Sequence, residues 1–452
     1  MTLIKNEHLE AELLSAKTRY NKQQYIFSTT FETNLISIEE LLYLMDTEDG
    51  FYWSNYDRTL EFIGISPVVT VVSDEVSNRF ENIEQAYINL KQQFYSEKSK
   101  PILFGGFCFD EMLDQNQIWD KFEQNEFTLP KFLFIKEENE IKLIYCAHDN
   151  GALNKEHIET EIQNLLRKPT QNINFNKEVI SSETMEFSDW ENMLNKAKDK
   201  INSGLIKKIV LSRTYELEFT EEIPVSIIAN NLLEVQKGSY IFLYKKNGAC
   251  FIGATPERLV QCNDQVIYSA CVAGSIKRGE TEEEDISLQN ELLNDPKNLQ
   301  EHQYVVDVVE RAMELYADKV EIPSKPTILK NKFIQHLYTP VRGILKESST
   351  ILKVVGELHP TPALGGTPKE EALSQIRDLE PHSRGWYAAP IGWIDLKGNG
   401  EFAVAIRSGI IEKNKALLYA GCGVVEQSDP QSEYIETNIK FRPMLSALRG
   451  NE

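Results

Sequence analysis

The sequence has little positive charge and no long apolar run. Its 452 residues include 48 Lys and Arg against 69 Asp and Glu, which gives a formal net charge of -21. Because the phosphates of nucleic acid and of anionic membranes repel such a chain, we expect neither as a partner. No stretch approaches the roughly eighteen apolar residues that span a bilayer, and the charged start MTLIKNEHLEAELLSAK is unlike a signal peptide. The sequence therefore predicts a soluble, cytoplasmic protein.

Cysteines are few and widely spaced. The six are Cys108, Cys146, Cys250, Cys262, Cys271 and Cys422, and no two have the CxxC spacing. This pattern indicates neither a zinc site nor a disulfide framework. We therefore expect reduced, mostly buried thiols in a fold that depends on its hydrophobic core, which a chain of this length can bury easily.

The stretch 417–440, LLYAGCGVVEQSDPQSEYIETNIK, contains the strongest candidate site. Its apolar start is typical of a buried strand, and Gly421 and Gly423 indicate places where another group approaches the backbone closely. Asp429 and Pro430 are a good N-cap and first helical residue, so they predict a helix from there to about Leu448.

Charged residues share one face of this predicted helix. Glu433, Glu436 and Lys440 are spaced three and four apart, and the opposite face is expected to be apolar, with Ile435, Ile439 and Leu445. Such a charged face is most often simply solvated. Paired carboxylates beside a glycine-rich strand end can also hold Mg2+, which takes one or two protein carboxylates and leaves positions for substrate oxygens.

The composition changes between Arg167 and Glu186, where Pro, Asn, Ser and Thr replace large apolar residues and mark a boundary. No catalytic constellation precedes it, so residues 1–180 are interpreted as an N-terminal scaffold half of one α/β unit.

After this boundary, Ser188 and Glu191 predict a capping box at a helix start. Asn247-Gly248 predicts a hairpin turn. Residues 387–396 and 401–411 are expected to be the two strands of a later hairpin.

Seven motifs follow one another in the second half: KKIVLSR (207–213), GATPERL (253–259), VAGSIKRG (272–279), KNLQEH (297–302), HPTPALGG (359–366), AIRSG (405–409) and AGCGVVEQSDPQSEYIETNIK (420–440). Together they resemble the chorismate-utilising enzymes, a family that contains anthranilate, aminodeoxychorismate, salicylate and isochorismate synthases. The resemblance covers about 188–448, and residues 187–450 are assigned as the chorismate-binding catalytic region. It implies an α+β fold, a large two-sheet antiparallel β-sandwich flanked by helices, with Mg2+ as cofactor.

The resemblance implies two catalytic residues. Lys208 matches the position at which family members that add water carry Lys and those that use ammonia carry Gln. Glu257 matches the general acid that protonates the departing C4 hydroxyl. A lysine serves as a base only if its pKa falls from about 10.4, and a carboxyl serves as an acid only if it stays partly protonated. Without the resemblance, the two would be interpreted as a surface lysine and a turn residue.

Metal and substrate contacts are implied as well. The metal-site carboxylates are Glu301, Glu433 and Glu436, with Glu301 and Glu436 as the direct ligands. Arg407 is expected to bind a substrate carboxylate bidentately, although such an arginine alone could equally be part of a strand salt bridge. The remaining implied substrate contacts are Gly274, Ser275, His359, Ala363, Leu364, Gly421, Gly423 and Lys440.

Within the family, these residues favour isochorismate synthase chemistry, with hydroxyl entering at C2 of chorismate and leaving from C4. Ala273 stands where aminodeoxychorismate synthases carry a nucleophilic Lys, and Lys208 disfavours anthranilate synthase. Salicylate synthase uses the same base and acid before it eliminates pyruvate, so it stays the alternative, although Ala363-Leu364 resembles isochorismate synthases. We expect chorismate as substrate, no glutaminase subunit, a monomer or homodimer, and a role in menaquinone or siderophore synthesis.

Overall fold

The computed structural model describes residues 4–20, 23–73, 78–96, 99–112, 117–137, 140–167, 175–330 and 334–450. The predicted boundary segment includes residues 168–174, which lie outside the described residues. Across the described ranges, no helix is both long and apolar enough to cross a membrane.

The chain folds into two compact units. Unit 1 is made of Met1–Glu257, Pro362–Leu396 and Val404–Glu452, and unit 2 is made of Arg258–Thr361 and Lys397–Ala403. The division at residue 180 inferred from composition stays a prediction.

The α-helices of both units are numbered in chain order. They are α1 (Leu9–Tyr20), α2 (Leu44–Thr47), α3 (Arg79–Lys91), α4 (Lys155–Leu166), α5 (Phe187–Asn202), α6 (Val225–Val235), α7 (Glu282–Asn294), α8 (Pro296–Tyr316), α9 (Ile351–Leu358), α10 (Lys369–Leu379) and α11 (Pro430–Arg449).

The strands are numbered in the same way. They are β1 (Ile4–Lys5), β2 (Tyr25–Thr33), β3 (Gly50–Ser54), β4 (Leu60–Val72), β5 (Phe94–Tyr95), β6 (Ile102–Phe107), β7 (Asn125–Glu137), β8 (Glu140–Asp149), β9 (Val179–Thr184), β10 (Lys208–Phe219), β11 (Tyr240–Lys246), β12 (Ala249–Thr255), β13 (Arg258–Asn263), β14 (Val266–Lys277), β15 (Ala317–Glu321), β16 (Thr327–Lys330), β17 (Ile334–Leu345), β18 (Gly366–Thr367), β19 (Pro390–Asp395), β20 (Gly400–Val404), β21 (Ser408–Glu412) and β22 (Lys415–Val424).

A long antiparallel ladder organises unit 1. Its order is β9-β10-β22-β21-β12-β11-β3-β4-β7-β8-β2-β1. A second branch leaves β7 through β6 to β19. The predicted turn at Asn247-Gly248 joins β11 to β12, and both turn residues have positive φ. The ladder places β10, β12, β21 and β22, which are far apart in sequence, side by side.

Unit 2 is built on its own antiparallel strands. Strand β13 lies between β20 and β14, and β14 pairs along most of its length with β17. Helix α8 packs against β14 and β17. Asp295 caps α8 by accepting a 2.9 Å hydrogen bond from the Asn298 N–H, and Pro296 is at its first position, as the Asp-Pro pair predicts.

The core of unit 1 lies between the ladder and helices from both ends of the chain. Leu9 and Leu13 of α1, and Phe441 and Leu448 of α11, are buried in the same cluster as residues of β2, β8, β11 and β12. All six cysteines are buried free thiols, in agreement with their spacing in the sequence.

Two local expectations are wrong. Helix α5 begins at Phe187, and its N-cap, Glu186, makes no side-chain capping bond, so Ser188 and Glu191 do not form the expected capping box. The helix begins earlier because the Phe187 ring packs edge-on against Tyr434 at a centroid distance of 5.5 Å. Tertiary packing here overrides the local capping signal.

The expected apolar face of α11 is also wrong in part. Ile435 and Ile439 are 49% and 51% exposed. The buried residues Thr437 and Met444 follow the charged Glu433 and Lys440 by four residues each, so charged and buried residues share one side of the helix. The charged residues of α11 therefore lie next to its buried residues and not on the opposite side of the helix.

Replacing Phe441 by Ala should lower the free energy of unfolding by about 3–5 kcal/mol, because the ring is fully buried in the unit 1 core. The measurement is a denaturant unfolding curve. Ile439→Ala on the exposed side of the same helix is the control and should change that free energy by less than about 0.5 kcal/mol. Equal losses in the two variants would contradict the assignment of the buried face.

Candidate active site

Lys208 lies at the start of β10, where the end of β22 runs beside it. Ile209 pairs with Val424, and Val210 pairs with Gly423. A Cβ atom added at Gly423 would lie 2.9 Å from Lys208 Cε and 3.5 Å from its Nζ. The lysine side chain therefore crosses over Gly423, and the absence of a side chain there leaves room for the amine.

The segment around Arg407 faces the end of β12. The Ala254 N–H donates to the Arg407 carbonyl at 3.1 Å, and the Val404 N–H donates to the Glu257 carbonyl at 3.0 Å. Arg407 has a φ of +52°, in the left-handed region. Strand β20 therefore ends at Val404 and β21 begins at Ser408, so the expectation of one strand over 401–411 is wrong. A non-glycine residue in this conformation stores strain, as is common at functional sites.

Three cationic side chains act electrostatically on the Glu257 carboxyl. Burial raises its pKa above the usual glutamate range, and the positive charges of Arg407, Lys440 and Lys208 oppose that increase. Burial likewise lowers the pKa of Arg407, and its interactions with Tyr387, Glu257 and Glu436 oppose that decrease. The structure thus brings the sequence-predicted base, acid and carboxylate-binding cations within electrostatic range of one another.

Helix α11 carries three predicted site residues to the same place. Its start is as predicted, since Asp429 accepts a 2.8 Å hydrogen bond from the Ser432 N–H and Pro430 follows. Lys440 Nζ lies 2.5 Å from a Glu436 oxygen and donates to the Gly421 carbonyl at 2.9 Å. The ammonium therefore links α11 to β22.

Arg213 of β10 also contacts helix α11. Its guanidinium is fully buried and donates to Thr437 Oγ1 at 2.8 Å and to Asn438 Oδ1 at 2.5 Å. It also lies over the Tyr434 ring, 4.0 Å from the centroid. These contacts set the distance between α11 and the strand that carries Lys208.

Two carboxylates of α11 have the chemistry of a hard-cation site. Glu433 and Glu436 are one turn apart, and Glu433 contacts the buried Cys422 thiol, whose pKa rises through burial and through the Glu433 charge. The described part of the chain contains no group of three or more His, Cys, Asp or Glu side chains arranged to hold a metal ion. The pair nevertheless fits Mg2+, which needs only one or two protein carboxylates beside substrate and water oxygens.

Residues 362–366 of the HPTPALGG motif belong to unit 1 and adjoin β10. Ala363 is exposed and Leu364 is buried. The Leu364 carbonyl accepts a 3.0 Å hydrogen bond from Arg384, and the Gly365 carbonyl accepts one of 3.0 Å from the Val210 N–H. The loop is therefore held by backbone contacts close to Lys208.

Four predicted residues lie in unit 2. Gly274 has a φ of +74° at a bulge in β14, and a Cβ there would lie 3.1 Å from Asn298 Oδ1. Ser275 Oγ lies 2.7 Å from His336 Nδ1. His359 is buried at the end of α9, whereas Glu301 is exposed on α8. The local environments of these residues are compatible with a polar site, and their roles stay predictions.

Tyr387 is a neighbour of the candidate site residues that the sequence does not reveal. The expected strand 387–396 starts only at Pro390, and Ala388 before it has a φ of +61°. The Tyr387 ring stacks on Tyr419 at 5.0 Å, and a Cβ added at Gly421 would lie 3.2 Å from the phenol oxygen. Because Tyr387 belongs to an apolar stretch that predicts a strand, no chemical signal distinguishes it from a core aromatic.

Comparisons with known proteins find similar proteins over most of the chain. Residues 11–449 match the family described as chorismate binding enzyme. The chain is 39% identical over 420 residues to isochorismate synthase MenF of Bacillus subtilis, covering 89% of this chain and 88% of that protein. It is 34% identical over 357 residues to the salicylate biosynthesis isochorismate synthase of Pseudomonas aeruginosa, covering 77% and 74%.

A solved structure shows the same fold. The menaquinone-specific isochorismate synthase MenF of Escherichia coli superimposes with a TM-score of 0.79 at 21% identity, covering 98% of this chain and all of that one. The chain belongs to the chorismate binding enzyme family, as its seven motifs predict. The predicted α+β fold of that family, with antiparallel sheets and flanking helices, is confirmed.

Gly423→Ala should reduce chorismate turnover by about tenfold or more, because the added methyl would force Lys208 from its place. Steady-state kinetics measures the effect. The control is a double-mutant cycle in which the same change is made in Lys208→Ala. There the methyl meets no lysine and should cause no further loss of residual turnover, whereas equal losses in both backgrounds would contradict the contact.

Glu257→Gln should make the protein inactive but more resistant to unfolding at neutral and alkaline pH. Since the folded-state pKa of Glu257 is raised, its stabilising contribution is present at low pH and is lost as the pH rises through that pKa. The neutral glutamine avoids this loss. The melting temperature of the variant should therefore exceed that of the wild type at neutral and alkaline pH. The difference should shrink as the pH falls toward about 4.3. A variant less stable than the wild type at pH 8 would contradict the burial of this carboxyl.

Proposed function

We propose that this chain is an isochorismate synthase, which isomerises chorismate to isochorismate. The observation that carries the proposal is the half-buried Glu257, whose carboxyl pKa is raised by burial and which lies within electrostatic range of the Lys208 amine in a member of the chorismate binding enzyme family. Two relatives of this family with high coverage carry the name isochorismate synthase.

In the proposed reaction, unprotonated Lys208 takes a proton from water as the water oxygen attacks C2 of the ring. The double bond then shifts, the C4–O bond breaks, and protonated Glu257 donates a proton to the leaving hydroxyl, which departs as water. One water enters and one leaves, so the product is an isomer. Turnover leaves the amine protonated and the carboxyl ionised, and proton exchange with solvent restores both.

Chorismate carries two carboxylates, for which the proposed partners are Arg407 and Lys440. A guanidinium pairs with a carboxylate through two parallel hydrogen bonds, which orients the substrate as well as binding it. Lys440 is already fixed by Glu436 and by the Gly421 carbonyl. The other proposed contacts of unit 1 are Ala363, Leu364 and the backbone of Gly421 and Gly423, and those of unit 2 are Gly274, Ser275 and His359.

Mg2+ is the proposed cofactor. Glu433 and Glu436 would hold it in unit 1, with Glu301 as the third carboxylate of the predicted set. When bound, the ion would supply positive charge to a ring carboxylate of the substrate. The donor chemistry supports this choice because all three side chains offer hard oxygen atoms.

The proposed compartment is the cytoplasm. The finding that supports it is that all six cysteines are buried free thiols, as expected for a reducing environment. The same isomerisation precedes menaquinone and catechol siderophore synthesis, so the proposal concerns the reaction and not the branch it serves.

The test is to incubate the purified protein with chorismate, with and without Mg2+, and to separate the products by chromatography. We expect isochorismate, no dependence on ammonium ions, and loss of turnover on chelation. Salicylate and pyruvate formed at the rate of chorismate loss would instead identify a salicylate synthase. An ammonium requirement would indicate an aminating enzyme, and unchanged chorismate would refute the proposal.

Lys208→Ala should lower kcat by about two to four orders of magnitude, which is typical for the loss of a general base. Chorismate binding measured by calorimetry should persist, since the amine acts on water and not on a carboxylate. Lys207→Ala is the matched control, because Lys207 is exposed and its backbone N–H, which the substitution keeps, donates to the Thr367 carbonyl. Wild-type turnover in Lys208→Ala would remove Lys208 as the base.

A further inference from the structure

The edge of β10 that faces away from β22 is covered by different groups along its length. Strand β18 pairs with Lys208 and Ile209, and β9 pairs with residues 215–219. Between these two short partners lie Val210 and Ser212, close to the proposed base. The Val210 N–H donates to the Gly365 carbonyl. The Val210 carbonyl and the Ser212 N–H need other hydrogen-bonding partners, because an unpaired buried backbone group is costly.

An ion pair supplies those partners. Arg384 Nη2 donates to the Val210 carbonyl at 2.8 Å, and the Ser212 N–H donates to a Glu380 oxygen at 2.6 Å. Arg384 and Glu380 are joined by two further bonds of 2.6 and 2.9 Å. The two side chains thus take the place of a neighbouring strand at this edge.

The same arginine reaches the HPTPALGG loop. Arg384 Nη1 donates to the Leu364 carbonyl at 3.0 Å, so one guanidinium fixes both the loop and the strand. The side chains of Arg384 and Glu380 are 0% and 2% exposed. Each charge is therefore buried only because the other neutralises it, and removing one leaves the other unpaired.

The length of helix α10 places Glu380 beside Ser212. The helix follows β18, which pairs with Lys208, and its eleven residues span about 16 Å at 1.5 Å per residue. The four residue-to-residue steps of strand from Lys208 to Ser212 span about 13 Å. The helix therefore runs about as far as this part of β10, and Glu380 ends it by donating its N–H to the Ile376 carbonyl at 2.9 Å.

A mostly buried histidine beside this ion pair reduces the stability of the region. His382 Nε2 lies 3.0 Å from Ser212 Oγ, and its Nδ1 is buried with no hydrogen-bond partner among the described residues. A buried polar atom without a partner costs free energy. An apolar cluster of similar volume would avoid that cost, but it could not hold the edge of β10 in a fixed place.

We propose that Glu380 and Arg384 are positioning residues for Lys208. By fixing Val210 and Ser212, they hold the start of β10 and keep the lysine amine over Gly423. The inference rests on the proposed function, in which Lys208 is the base. A shift of about 1 Å in a catalytic group can cost about a hundredfold in rate, so a small loosening of this edge should be visible in kcat.

Glu380→Gln is the test variant, because it keeps the size and an acceptor for the Ser212 N–H but removes the charged partner of Arg384. Asp110→Asn is the matched control. Asp110 is buried and forms a two-bond pair of 2.6 and 2.9 Å with Arg377 of the same helix α10, and these bonds do not involve β10. Both variants change a buried carboxylate to an amide.

We expect Glu380→Gln to lower kcat by about ten- to a hundredfold with KM changed less than about twofold. Asp110→Asn should leave kcat within about twofold, with rates in both cases taken per folded enzyme well below the melting midpoint. Equal kcat in the two variants, or a loss that appears only in KM, would overturn the inference.

A second readout does not depend on turnover. The reactivity of Lys208 toward an amine-directed acetylating reagent can be measured by mass spectrometry relative to its neighbour Lys207. We expect the ratio to change in Glu380→Gln and to stay at the wild-type value in Asp110→Asn, whereas an unchanged ratio in both would refute the positioning role. If the wild type fails to convert chorismate, the proposed function fails, and the ratio still decides whether the pair positions Lys208.

Discussion

The site depends on the opposition between burial and positive charge at Glu257. Burial favours the protonated carboxyl, and Arg407, Lys440 and Lys208 favour the ionised one. A group under both influences can give up a proton and recover it without a large change in free energy, which suits a general acid. Arg407 and Lys440 in turn need an anion nearby, and a substrate with two carboxylates would satisfy both once Glu257 is protonated and Lys208 is neutral.

The sheet of unit 1 makes this arrangement possible. Antiparallel pairing puts the beginning of β10 beside the end of β22, and the end of β12 beside the beginning of β21. The proposed base, acid and arginine therefore lie at the same edge of the sheet, although they are distant in sequence. The rigid ladder holds the backbones, while irregular positions such as Arg407 aim the side chains.

Short-range chemistry explains which features were predictable from the sequence. Asp429 and Pro430 mark the start of α11, and Asn247-Gly248 marks a hairpin, because caps and turns are decided by neighbouring residues. The fold and the candidate site residues were predictable only through the family motifs. The break of the strand at Arg407 has no local signature, because the Arg407 carbonyl is held by Ala254, which is distant in sequence. The exposure of Ile435 has none either, because contacts with the distant Arg213 help decide which side of α11 is buried.

Unit 1 is assembled from three stretches of chain, and its core joins Leu9 to Leu448. Contacts of such long sequence separation form slowly, since the loop between them must close first. During synthesis on the ribosome, the apolar faces of the early strands therefore stay uncovered until α11 has been made. A nascent chain of this kind is a natural client for chaperones, and any product released before α11 is synthesised would lack both a finished core and the helix that bears Glu436 and Lys440.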